Sequence, residues 1–235
     1  MKVCVLQSDP ALGCENLRIL GRTIAEIPAD LYVLPELFKI GFDALSNVFP
    51  ATAEIVPDGS TYQLISQWLQ CRPTAVVVCG MLEQDRSAYY NIAAVIGYGW
   101  MERYRQKYPA RTAGGRVLPV LAGDFRKVWL PFQTSIGLMV CHDHYASAEF
   151  FEEYKKRSAE TVVLIADSTS RDWMSHFPAL CKEKGLSAII CNAAGENKGG
   201  SCILNRTGDF LSLHARGAQF LYLPECPMTA TASLG

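Results

Sequence analysis

Apolar and polar positions along this chain follow two rhythms, and the places where one gives way to the other mark out its elements. Short apolar runs at residues 3–6, 31–34, 75–79, 136–140, 162–166 and 188–191, each bounded by polar or turn-forming residues, have the length of buried strands. Between them the spacing changes. Residues 15–27 set Leu17, Leu20, Ile24 and Ile27 on one helical face, and Pro28 ends the pattern. Residues 61–69, 146–159 and 175–185 read as further helices. The second of these carries Glu152/Lys156 and Glu153/Arg157 four apart, which suits a solvated face, and the third is closed by Gly185. Residues 91–96 and 101–105 form a hairpin pattern through Gly97-Tyr98-Gly99, and Gly80 is expected to stop the strand before it. Residues 108–123 read as a Pro/Gly-containing loop, with a strand near Val128, and residues 200–223 as short strands separated by turns. Strands alternating with helices early and with hairpins late indicate an α/β chain of mixed sheets covered by helices. The pattern supports a single domain over residues 1–228, followed by a tail, 229–235, with little that could pack.

Composition narrows the function classes. Of 235 residues, 49% are hydrophobic and 19% charged, which describes a globule with a sizeable core. A net charge of −1 offers no electrostatic case for nucleic acid or an anionic membrane. No apolar run approaches the roughly 20 residues that span a bilayer. The N-terminus reaches Gln7 and Asp9 too early to contain a signal-peptide apolar region. Nine cysteines without a C-x-x-C spacing read as reduced thiols, hence a cytoplasmic location.

Candidate chemistry concentrates at residues 134–145, TSIGLMVCHDHY, where a buried strand runs straight into Cys141. A thiol at such a point is either core filler or a nucleophile. Two other residues stand just after apolar or strand-like runs: Glu36 after LYVLP and Lys107 after MERYRQ. Singly, Glu and Lys are ordinary surface residues. Together with the thiol they supply a base, a cation and a nucleophile, enough for acyl transfer through a thioester.

Here the sequence resembles the nitrilase, or carbon–nitrogen hydrolase, superfamily. The resemblance rests on PELF with Gly41 and Phe42, PDGSTYQLISQWLQ, Tyr90-Asn91-Ile92-Ala93 followed by RYRQK, and Cys141-His142-Asp143, continued by Trp173, Glu183, Asn192 and Gly200-Ser201. It implies a four-layer α-β-β-α sandwich, dimerised through helices that include the one after the cysteine, with no cofactor and no metal. It implies that Glu36 is general base and then acid, that Lys107 and the main-chain N–H after Cys141 stabilise the oxyanion, and that Cys141 carries the acyl group. Asp143 resembles the amidase branches, so a small linear amide is the expected substrate. Two alternatives stay open: transfer of the acyl group to an amine, and a catalytically weak binding or assembly protein. They stay open because the stretch 108–123, where the family usually carries a second glutamate, has no carboxylate. Arg111 and Arg116 stand there instead, either as solvated residues or as a fork for an acidic group on the substrate. His142, His144 and Tyr145 are candidate pocket residues, and Cys141, His142 and His144 form a weak C-H-x-H metal pattern without a second cluster. Arg171 and Trp173 fall where the resemblance places a substrate-facing loop. Glu149 is a candidate stand-in for an acid common just after the nucleophile motif.

Overall fold

The computed structural model describes residues 1–41, 50–109, 112–113, 116–117, 120–213 and 219–223, and the side chains of 1–41, 50–109 and 120–211. Two mixed sheets make up its frame. The first contains β1 (Val3–Gln7), β2 (Leu31–Val33), β3 (Glu54–Ile55), β4 (Val76–Asp85), β5 (Ala88–Gly97) and β6 (Trp100–Arg105), with β15 (Gln219–Leu223) on its far edge. Its order is β15-β1-β2-β4-β5-β6, and β3 pairs with the end of β4. The hairpin β7 (Thr112–Ala113) and β8 (Arg116–Val117) stands apart. The second sheet is built from β9 (Lys127–Leu130), β10 (Thr134–Val140), β11 (Thr161–Ala166), β12 (Ser187–Asn192), β13 (Cys202–Leu204) and β14 (Phe210–Leu213), in the order β14-β13-β12-β11-β10-β9. At the centre of each sheet three strands run parallel: β1, β2 and β4 in one, β10, β11 and β12 in the other.

Side-chain alternation along the strands creates the layers. Val3, Val5, Val33, Val76, Val78, Ala93 and Val95 of the first sheet face the second sheet and form one continuous core with it. Cys4, Leu6, Tyr32, Val77, Cys79, Ile92 and Ala94 point the other way. There they meet Leu20 and Ile24 of α1 (Glu15–Glu26) and Ile65 of α2 (Ser60–Trp68). Outside the second sheet, α3 (Ser147–Lys156) contributes Phe150, Phe151 and Tyr154, and α4 (Trp173–Lys184) contributes Phe177 and Cys181. The order helix–sheet–sheet–helix is the expected sandwich. Each large apolar side chain fully buried in these interfaces stabilises the fold by about 1.5–3 kcal/mol.

Two local expectations are corrected. Gly80 does not stop a strand: β4 continues through it to Asp85. Its missing side chain instead makes room, since a Cβ at Gly80 would stand 2.4 Å from the Cα of Glu36. Residues 141–146 do not extend the strand alternation past β10. They wind into a 310 helix, Cys141–Ala146, so the C-H-x-H residues do not share one strand face.

Candidate active site

The first sheet delivers Glu36. β2 ends at Val33, and the chain then crosses β4, where Gly80 N donates to Pro35 O at 3.1 Å. Leu37 takes a left-handed φ of 45°, which turns the segment back and leaves Glu36 buried between the sheets. The second sheet delivers Cys141. Every residue of β10 is buried, and the strand ends on Cys141 with φ 40°. A left-handed backbone is uncommon for a residue with a side chain, and such strain gathers at functional sites. Below the turn, buried Asp143 fastens it to three segments. Asp143 Oδ2 accepts from Val140 N at 2.9 Å and from Tyr104 Oη at 2.6 Å, while Oδ1 accepts from Tyr108 N at 2.9 Å. Burial raises the Asp143 carboxyl to about 6 against these bonds.

Glu36 and Cys141 meet through a hydrogen bond between their side chains. Glu36 Oε1 also accepts from Asn91 Nδ2 at 2.5 Å, and Oε2 from the main-chain N–H of Asp167 at 3.0 Å. Burial first, then the nearby Asp167 charge, push Glu36 up to about 7. The thiol is raised further, by burial and by the same carboxylate. The resting pair is therefore a thiol beside a carboxyl poised near neutrality, an arrangement suited to proton transfer out of Cys141.

Lys107 is not brought to this pair. Its Nζ donates to Glu149 Oε1 at 2.9 Å and lies 3.7 Å from the centre of the Phe125 ring, and Tyr108 Oη donates to the other Glu149 oxygen at 2.6 Å. Strand geometry explains the displacement. Tyr104 and Gln106 are two apart and face the space between the sheets, both almost fully buried, and Lys107 falls out of that alternation. The inward place belongs to Gln106. Its Nε2 donates to Val140 O at 2.7 Å and its Oε1 accepts from Asn91 Nδ2 at 3.0 Å, linking the residue before Cys141, through Asn91, to Glu36. Glu149, the candidate stand-in acid, is paired with Lys107.

Other candidates divide. His142 is half-buried and, with Lys107, Tyr108, Pro109, Ala122, Tyr145 and Ala146, lines a cleft of about 460 Å³ beside the nucleophile turn. A larger hollow of about 760 Å³ follows β6 past Arg103, Arg105 and Arg126, but it holds neither Glu36 nor Cys141. Tyr145 is exposed and its ring stacks 4.0 Å from that of His144. His144 and Trp173 do not line a pocket: both are buried, edge to face at 5.3 Å, and His144 Nδ1 sits 2.6 Å from Cys141 O, where it braces the turn. Burial holds both His142 and His144 below the usual imidazole range. Arg171 lies over Gly200, where an added Cβ would meet its Cδ at 2.9 Å. Arg111 and Phe42 lie outside the described residues; Arg116 is in β8, with its side chain outside them. Among the described residues no group of three His, Cys, Asp or Glu side chains is placed to hold a metal.

Asn91, Gln106, Asp167 and Lys198 surround the pair, and of these Asn91 and Gln106 stood in motifs read from sequence. Asp167 follows the apolar run of β11 just as Cys141 follows β10, a usable signal. Gln106 stood one place before the expected lysine, and only the pairing register decides which of the two faces inward. Lys198 carries none: it reaches Asp167 Oδ1, at 2.5 Å, from a loop after β12.

A buried thiol paired with a carboxyl, each at the end of a central parallel strand in facing sheets, defines a cysteine-centred α-β-β-α sandwich protein. The model of the carbon-nitrogen hydrolase family matches residues 6–227, and the chain belongs to that family. No curated protein matches the sequence. Among solved structures, an amidase from Nesterenkonia sp. is 18% identical with a TM-score of 0.78, over 95% of this chain and 89% of its own. Nit3 from Saccharomyces cerevisiae, a member of branch 10 of the nitrilase superfamily, is 16% identical with a TM-score of 0.77, over 95% and 89%. The glutamine-dependent NAD+ synthetase from Acinetobacter baumannii is 18% identical with a TM-score of 0.76, covering 94% of this chain but 44% of its own. At these identities the likeness is one of fold.

Proposed function

We propose that this chain cleaves the C–N bond of a small-molecule amide through a thioester on Cys141. Glu36 takes the thiol proton as sulfur attacks the carbonyl carbon, then passes it to the departing ammonia or amine. It next takes a proton from water, whose oxygen displaces sulfur and releases the acid. The main-chain N–H of His142, in the first turn of the 310 helix, is the oxyanion donor in this reading. The observation that carries it is the hydrogen-bonded Glu36–Cys141 pair with its carboxyl near 7. Family membership supports the reaction class. A related precedent is the amidase from Nesterenkonia sp. AN1, a mutant of which carries the acetamide moiety of fluoroacetamide on its active-site cysteine.

One observation favours a second reading, a binding or assembly protein of the same fold: Lys107 is engaged by Glu149 and an uncharged Gln106 takes the inward place. Intact-protein mass spectrometry separates the two. Wild type and Cys141→Ala are incubated with fluoroacetamide and with a panel of amides, carbamoyl compounds and nitriles. A wild-type-only adduct, with acid and ammonia released from one class, is the expected result. Acyl transfer instead of hydrolysis would appear as an adduct discharged only when an amine acceptor is added. No adduct with any compound would leave the binding reading standing.

A further inference from the structure

We propose that Lys198, held on Asp167, sets the charge balance of the Glu36–Cys141 pair, so that Lys198 is the positioning cation of this site in place of Lys107. The inference rests on the function proposed above. Lys107 and Glu149 form a rim pair whose side chains are 23% and 47% exposed, where water and salt screen most of the interaction. Lys198 and Asp167 form theirs at 2.5 Å with exposures of 15% and 0%, in a setting where charges act over several ångströms with little screening. Asp167 is also the residue whose main-chain N–H binds Glu36 Oε2 and faces the Cys141 sulfur.

The geometry therefore places two carboxyl groups and a thiol together. Ionising either Glu36 or Cys141 beside the Asp167 carboxylate is opposed by like charge, which remains the second-ranked influence on Glu36 after burial even with Lys198 in place and would grow without it. Lys198 offsets that repulsion. Its loop is fastened for the purpose: Lys198 N donates to Gly195 O at 3.2 Å, Gly199 N to Ala193 O at 2.9 Å, and Asn192 Nδ2 to Gly199 O at 2.8 Å. Among the described residues, several other groups lie near the pair. Asn91 and Gln106 do not titrate. Asp143 and Tyr104 are bonded to each other beneath the turn, and His144 faces the carbonyl of Cys141. Lys107 is on Glu149.

The test is the pH profile of Cys141 alkylation by iodoacetamide, read by peptide mapping in wild type, Lys198→Met, Lys198→Arg, Lys107→Ala and the double variant Asp167→Asn/Lys198→Met. Lys198→Met should move the midpoint up by about one pH unit, or about tenfold in labelling rate at fixed neutral pH. Lys198→Arg should restore it. The double variant, which removes both charges, should return towards wild type; a merely structural role for Lys198 would leave it as impaired as the single variant. An unshifted profile in Lys198→Met, or a shift produced by Lys107→Ala alone, overturns the inference while Cys141 remains selectively labelled. Labelling of wild-type Cys141 no faster than that of the exposed Cys14 and Cys71 overturns the proposed function, and this inference with it.

Discussion

Glu36 accepts two N–H donors and meets a thiol on one buried carboxyl group, and the balance between those bonds and burial leaves it near 7. Proton removal from Cys141 requires the ionised form. The acylation rate, followed as kcat/KM or as adduct formation from about pH 5 to about pH 9, should therefore rise through about 7, and Glu36→Gln should abolish that limb. Stability carries the opposite sign. A carboxyl raised in the folded state contributes most fully below its unfolded pKa, and the contribution is lost as pH rises through about 7. Thermal melts should show this slope in wild type and its loss in Glu36→Gln. Reading residues one at a time made the pair legible, because acid and thiol each follow an apolar run. The same rule misplaced Lys107, because the side of a strand end on which a residue emerges depends on a parity that only the pairing register fixes. Lys198 was invisible to it, since its importance comes from a contact 31 positions away with Asp167.

At the scale of elements, the site is a product of strand ends. β2, β10 and β11 each stop and hand over a residue, Glu36, Cys141 or Asp167, at the carboxyl end of a parallel strand. The four α-helices among the described residues and the buried strands other than β4 were legible from periodicity to within a few residues, because long apolar runs and 3.6-residue spacing do not depend on partners. Gly80 was misread because its reason is non-local. It is a gap in β4 through which the Glu36 segment passes. Gly80→Ala would place a methyl 2.4 Å from Glu36 Cα and 2.5 Å from Leu37 N, backbone that cannot yield like a side chain. It should cost about 1–3 kcal/mol as an overpacked site and slow Cys141 labelling at least as much as Glu36→Gln does. An unchanged melt with wild-type labelling would show that the crossing relaxes freely.

Over the whole molecule, the two sheets are joined by apolar packing through most of their area and by polar bonds at one end. Tyr104 Oη to Asp143, Gln106 Nε2 to Val140 O, Asp167 N to Glu36, Ser201 N to Gln7 Oε1 and Ala194 N to Ser8 O all cross from one sheet or its loops to the other. Tyr104 also accepts from Lys107 N at 3.0 Å, so Tyr104→Phe leaves a buried carboxylate and a main-chain donor each one partner short. We expect a loss of about 2 kcal/mol, or about 4–8 °C in Tm, with slower Cys141 labelling through the loosened turn. A melt within a degree or so of wild type would mean that Asp143 is held well enough by its other donors. The layer order was legible from the succession of elements and the family resemblance. Which loops meet across the sheets was not, since no local pattern records it.

That division has a consequence for the chain before it is finished. Glu36 is delivered by one sheet and Cys141 by the other, so neither half alone carries the pair. Cys4, Cys79, Cys181 and Cys202 are meanwhile pushed up to about 12 by burial. In the proposed reaction, a nascent, nicked or half-folded copy would lack the Glu36–Cys141 contact, and turnover would begin only when the two sheets close on each other. If the proposed reaction holds, it is its own proofreading step: a molecule able to turn over substrate is one that has already assembled.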